Sequence, residues 1–106
     1  MSEYVTVART ADIPAGEARV FLVNGRSLAL CHVADNGFYA IDNVCTHDSG
    51  PLGEGILEGD RIECPRHGAL FDVRTGAAKT LPAIKPVRSY PTRILNDEVQ
   101  VAVEGA

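Results

Sequence analysis

Residues 45–68 read Cys-Thr-His-Asp-Ser-Gly-Pro-Leu-Gly-Glu-Gly-Ile-Leu-Glu-Gly-Asp-Arg-Ile-Glu-Cys-Pro-Arg-His-Gly. The stretch opens on Cys45-Thr46-His47 and closes on Cys64-Pro65-Arg66-His67-Gly68, with sixteen residues between His47 and Cys64. Gly50, Pro51, Gly53, Gly55 and Gly59 make residues 43–60 too irregular for a strand and too long for a tight turn. Loops of this length inside a compact domain are usually functional. This one runs into a short strand just before Cys64. The two Cys/His clusters are therefore expected on adjacent loops at one end of a sheet.

Outward from this stretch, the chain reads as strands and turns. Residues 4–9 alternate polar and apolar. Residues 11–16, with Pro14 and Gly16, break that pattern in about one helical turn. Residues 19–23 and 27–33 flank Asn24-Gly25, a hairpin signal because both turn positions want positive φ. Asp35-Asn36-Gly37 turns the chain into a strand over 38–42. Short strands are expected over 61–64 and 69–73, then a turn at Thr75-Gly76. A closing hairpin over 93–95 and 98–103 turns at Asn96-Asp97. No stretch carries a sustained 3.6-residue apolar period. The pattern predicts an all-β chain, an antiparallel sandwich or barrel, without repeats or linkers.

Composition bounds the function. The chain has 106 residues, enough for one core without disulfides, and 45% of them are hydrophobic. No apolar run approaches the ~20 residues of a membrane span. Met1-Ser2-Glu3-Tyr4 shows no secretory signal. Three cysteines argue against a disulfide framework and for a thiol-permissive, cytoplasmic setting. A net charge of −4 disfavours nucleic acid and suits docking to a basic protein surface.

Each cluster supplies one thiolate and one imidazole. Such a set can hold a structural zinc. It can also hold a [2Fe-2S] centre with one iron on sulfur and the other on nitrogen. Zinc motifs usually pair like ligands, Cys with Cys and His with His, whereas these pairs are mixed. Pro65 stiffens the second turn and Gly68 frees its exit. Glycines also let backbone N–H groups approach bridging sulfides closely.

The two clusters and their spacing resemble the signature of the Rieske [2Fe-2S] family. Phe71-Asp72-Val73-Arg74-Thr75-Gly76, Leu81-Pro82, Lys85-Pro86-Val87 and Tyr90-Pro91 extend the likeness to segments that follow and cover the cluster in Rieske ferredoxins. The small size is similar to that of the ferredoxins serving bacterial ring-hydroxylating oxygenases. The resemblance implies one Rieske ferredoxin domain over residues 1–106: an antiparallel β-sandwich base with a cluster-binding subdomain of two loops at about 43–71. It implies one [2Fe-2S] cluster per chain, with Cys45 and Cys64 on the inner iron and His47 and His67 on the outer. Gly50, Leu52, Pro65, Gly68, Ala69, Phe71 and Pro82 are expected around those ligands. The implied role is that of a soluble, monomeric one-electron carrier in aromatic hydrocarbon catabolism, not an enzyme alone. Its partners are then a flavoprotein reductase and a terminal Rieske non-haem iron oxygenase. The competing readings are a small Rieske subunit of another oxidoreductase, such as a nitrite reductase, and a zinc-stabilised interaction module.

Departures from the respiratory branch of the family bear on the potential. Gly50 and Arg66 stand where those proteins carry two further cysteines joined as a disulfide. Ala69 and Phe71 stand where they carry a Ser and a Tyr that hydrogen-bond to sulfur, and neither side chain donates. The oxidised centre is neutral, because two ferric ions are balanced by two sulfides and two thiolates. It therefore accepts an electron more readily than a four-thiolate cluster. Without the side-chain donors it is expected near the low end of the Rieske range, about −150 mV.

The remaining candidates have plainer readings. Cys31, in the apolar run Leu28-Ala29-Leu30-Cys31, is expected as a buried small hydrophobe. His32 is expected on the opposite strand face, at the surface. Phe38, Tyr39 and Phe71 are expected in packing. Residues 42–63 hold six carboxylates against Arg61, and residues 64–93 hold six basic side chains against Asp72. An ordinary solvated surface explains this. So does an acidic rim with an apolar tip of Pro51, Leu52 and Pro65, suited to transient docking.

Overall fold

At Asn24 and Gly25 the backbone takes φ of 48° and 81°, the left-handed pair that a two-residue hairpin needs. This turn joins β2 (Ala18–Val23) to β3 (Arg26–Val33). Asn96 and Asp97, at 52° and 66°, do the same between β9 (Thr92–Leu95) and β10 (Glu98–Glu104). These turns belong to a computed structural model that describes residues 2–34, 37–44, 51–65, 68–80 and 85–104. The other strands are β1 (Ser2–Arg9), β4 (Gly37–Asp42), β5 (Ile56–Glu58), β6 (Arg61–Glu63), β7 (Leu70–Asp72) and β8 (Ser89–Tyr90). Among the described residues the only helical pieces are 3-10 turns at Thr10–Asp12 and Leu52–Glu54. Among the described residues no helix is long and apolar enough to cross a membrane.

The strands form three antiparallel sheets. Sheet one has the order β1-β10-β9, sheet two β2-β3-β4-β8, and sheet three β5-β6-β7. The first and last strands pair from Ser2↔Glu104 to Arg9↔Glu98, with an irregularity between Thr6 and Ala8. Within sheet two, Ala18↔Cys31 and Val23↔Arg26 bound one ladder, and Leu28↔Asp42 and Val33↔Gly37 the next.

Side-chain alternation then stacks the sheets, because successive residues of a strand face opposite sides. Leu28, Leu30, Phe38 and Ala40 of sheet two pack with Val99, Val101 and Val103 of sheet one and with Ile13. Ala29, Cys31, Val33 and Ile41, from the other face, pack with Ile62, Phe71, Leu52, Cys64, Ala69, Val73 and Val87. Sheet two is thus a middle layer between two apolar cores.

Two expectations need correction. The irregular region 43–60 contains strand β5. Gly59, at φ +60°, turns it back onto β6, so Ile56 pairs Glu63 and Glu58 pairs Arg61. The far end of the molecule therefore includes a three-stranded sheet. His32 is not a plain surface residue. The face of β3 opposite Cys31 is the sandwich core, and His32 sits at its rim. Its Nδ1 lies 2.7 Å from the Ile13 carbonyl oxygen, which a protonated Nδ1 donates to. Its ring stacks on Phe38 at 4.1 Å between centroids.

Candidate metal centre

Cys64 directly follows β6 and begins a tight reversal. Its N–H donates to the Ala69 carbonyl at 2.7 Å, and the Gly68 N–H donates to the Cys64 carbonyl at 3.0 Å. Gly68 closes the turn at φ +74°, where a side chain is strained. Cys64 is buried beside Leu52, Ile62, Ala69 and Phe71, while Pro65 and Gly68 are exposed. The thiol sits where an apolar floor meets an exposed turn.

Three segments of the chain start from one row beside this turn. Ile56 pairs Glu63, and Glu63 pairs Leu70. The Lys79 N–H donates to the Leu70 carbonyl at 2.8 Å, and the Leu70 N–H donates to Thr80 Oγ1 at 2.9 Å. The chain enters β5 from the segment bearing Cys45 and His47. It leaves β6 into the segment bearing His67, and leaves Thr80 for the segment bearing Pro82. All three passages lie at the same end of sheet three. Close backbone approaches hold the row. A Cβ on Gly55 collides with the Glu63 carbonyl, and a Cβ on Gly76 with the Val87 carbonyl. The Val87 N–H donates to the Gly76 carbonyl at 2.8 Å, returning the proline-bearing segment to the core.

The expected residues therefore divide in two. Cys64, Leu52, Ala69 and Phe71 come together in one buried cluster, and Pro65 and Gly68 shape the turn above it. Cys45, His47, Gly50, His67 and Pro82 lie outside the described residues. Leu52 overturns the expected apolar tip. It is fully buried, because its 3-10 turn faces it into the core that holds Cys64 and Phe71. Returning that side chain to water costs about 1.5–3 kcal/mol. The tip keeps exposed Pro65 and half-buried Pro51.

Charge around the site is partly paired. Arg74 lies 3.1 Å from Asp60 and 3.8 Å from Asp72, and the Asp72 carboxylate also accepts from the Arg74 N–H at 2.8 Å. Glu54 and Glu58 remain exposed on the 3-10 turn and on β5, beside exposed Ile56.

The buried Cys64 thiol, set in an apolar floor beside an exposed turn, fits a sulfur ligand at this end. Residues 3–91 match the family described as the Rieske [2Fe-2S] domain. The chain belongs to the Rieske family. This Rieske chain is 41% identical over 101 residues to the ferredoxin component of the naphthalene 1,2-dioxygenase/salicylate 5-hydroxylase systems of Ralstonia sp, covering 95% of the chain and 96% of that relative. It is 37% identical to the ferredoxin component of biphenyl 2,3-dioxygenase from Rhodococcus jostii (strain RHA1), covering 93% and 92%. Among solved structures, the ferredoxin of carbazole 1,9a-dioxygenase from Nocardioides aromaticivorans IC177 superposes with a TM-score of 0.90 at 35% identity, over 95% of this chain and 98% of that one. A putative nitrite reductase small subunit from Mycobacterium tuberculosis, 21% identical with a TM-score of 0.86, shares the fold. The Rieske chain carries a [2Fe-2S] cluster and acts as a ferredoxin, an electron carrier and not itself an enzyme.

Asn43 carried no signal in the sequence. Its side chain accepts from the Gly53 N–H at 2.6 Å and donates to Ser27 Oγ at 3.1 Å. An asparagine at the end of a strand is ordinary, and its partner ten residues on is visible only in the fold.

Proposed function

We propose that this ferredoxin takes one electron at a time from a flavoprotein reductase and delivers it to a terminal Rieske non-haem iron oxygenase that attacks an aromatic ring. Cys45 and Cys64 hold the inner iron, and His47 and His67 the outer. Bound there, the cluster would supply a one-electron couple. The observation that carries this reading is the row Ile56–Glu63–Leu70–Lys79, which starts three segments at one end of sheet three around the buried Cys64. In keeping with it, a carbazole 1,9a-dioxygenase ferredoxin has been solved together with its oxygenase, and this chain is 37% identical to the matched chain of that complex, at a TM-score of 0.86.

The chain works as one domain over residues 1–106, with residues 43–71 as its cluster-binding part. It acts as a monomer in the cytoplasm, where three cysteines suit a reducing compartment. Anaerobic reconstitution followed by metal analysis tests the ligand set. Two irons and two acid-labile sulfides per chain are expected, with a reduced-state EPR signal that Cys64→Ser abolishes. Retained zinc, or iron binding unaffected by Cys64→Ser, overturns it. Electron delivery to a purified ring-hydroxylating oxygenase then tests the role.

A further inference from the structure

The 3-10 turn Leu52–Glu54 begins with a deficit. The first N–H groups of any helical turn lack partners within it, and a side chain at the preceding position commonly supplies one. Here that position is Pro51, and no side-chain cap is made there. The missing acceptor comes from ten residues upstream, where Asn43 Oδ1 lies 2.6 Å from the Gly53 nitrogen. Gly53 is buried, and a Cβ on it would collide with Val20 and stand 3.1 Å from Asn43 Oδ1 and 3.4 Å from Ala29 Cβ. The turn is therefore pressed onto β2 and β3.

The other end of Asn43 is tied as well. Its Nδ2 donates to Ser27 Oγ at 3.1 Å, and its backbone N–H donates to the Ser27 carbonyl at 2.9 Å. Asn43 thus joins three pieces: the exit of β4, the start of β3 and the turn that leads into β5. Between its two attachment points runs the segment bearing Cys45 and His47. The far side of that segment, through Gly55, rests on the Glu63 carbonyl next to Cys64.

We infer that Asn43 is a positioning residue for the cluster. By closing the chain between residues 43 and 53 into a ring fixed to sheet two, it sets where the Cys45–His47 pair meets the Cys64–His67 pair. The inference rests on the ligand assignment above. It adds a residue that touches neither iron nor sulfide and acts through the loop it closes. Hydrogen-bonding partners outside a metal's ligands hold those ligands in place, and their loss typically weakens metal retention about 10- to 100-fold.

The test compares Asn43→Ala, Asn43→Asp and Ser27→Ala with the wild-type holoprotein. Iron release to a chelator, the reduced-state EPR spectrum and the reduction potential are measured. Asn43→Ala is expected to release iron about 10-fold faster or more. Its EPR signal should broaden and its potential shift. Asn43→Asp keeps the acceptor for Gly53, replaces the donor to Ser27 with an oxygen that Ser27 Oγ can donate to, and adds a charge, so its iron release and that of Ser27→Ala should stay close to wild type. An Asn43→Ala protein that matches wild type in all three readouts overturns the inference, and so does an Asn43→Asp protein as impaired as Asn43→Ala. If Asn43→Ala takes up no iron, amide exchange on the full chain decides. Protection kept along β3 but lost at Gly53 supports a positioning role, and protection lost throughout β3 overturns it. Wild-type protein that binds no iron would instead sink the ligand assignment.

Discussion

Cys31 and Cys64 lie in the same apolar core, and what separates them is the chain around each. Cys64 sits at a turn where backbone N–H groups and glycine bring the surface close. Cys31 sits in mid-strand, fully buried, and burial pushes its thiol up to about 12. That shift fixes a pH dependence. Below about pH 9 the thiol is protonated both folded and unfolded, and its burial is fully tolerated. Between about 9 and 12 it ionises only in the unfolded chain, so the folded state loses stability as pH rises. The loss reaches at most about 4 kcal/mol, at about 1.4 kcal/mol per pH unit. Cys31→Ala lacks this effect. The difference in urea midpoint between wild type and variant should shrink as pH rises above 9, and a constant difference would contradict the burial argument. Iron content and the cluster spectrum should be the same in both proteins.

Among elements, sheet three is the most demanding of its backbone. Gly55 lets β5 start against the Glu63 carbonyl, and no side-chain rotation relieves a collision between a Cβ and a backbone oxygen. Gly55→Ala is expected to destabilise the fold by about 1–3 kcal/mol, as overpacking does, with faster iron loss as β5 lifts. Equal unfolding midpoints would show that the strand shifts freely. The elements also show what the sequence could reveal. Asn24-Gly25 and Asn96-Asp97 announce their hairpins because a turn's φ demand is local. Strand β5 is hidden because Gly53, Gly55 and Gly59 read as loop, while its pairing with β6 is decided by the neighbouring strand. The β1–β10 ladder joins opposite ends of the chain, which no local pattern encodes. Cysteine and histidine spacing carries the proposed ligand set, since metal chemistry restricts residue type. Asn43 stayed invisible because a hydrogen bond to a distant backbone N–H restricts type only weakly.

At the scale of the molecule, the exposed carboxylates Glu54 and Glu58 flank Ile56 on β5, an outer strand of sheet three. Glu54→Lys combined with Glu58→Lys should change the rate of electron exchange with a redox partner at low salt. The effect should fade as the Debye length falls to about 10 Å at 0.1 M. Stopped-flow rates that match wild type at low salt would reduce these carboxylates to an ordinary solvated face. A last consequence follows from the double burial of β3, where Leu28 and Leu30 face one core and Ala29 and Cys31 the other. A wall shared by two rooms cannot be removed from one of them alone. Freeing β3 on the cluster side also strips the sandwich, so the molecule should melt in a single cooperative transition, with the amides of β3 among the last to exchange. Damage near the iron is then felt by the ladder between the first and last strands, even though it lies on the far side of sheet two.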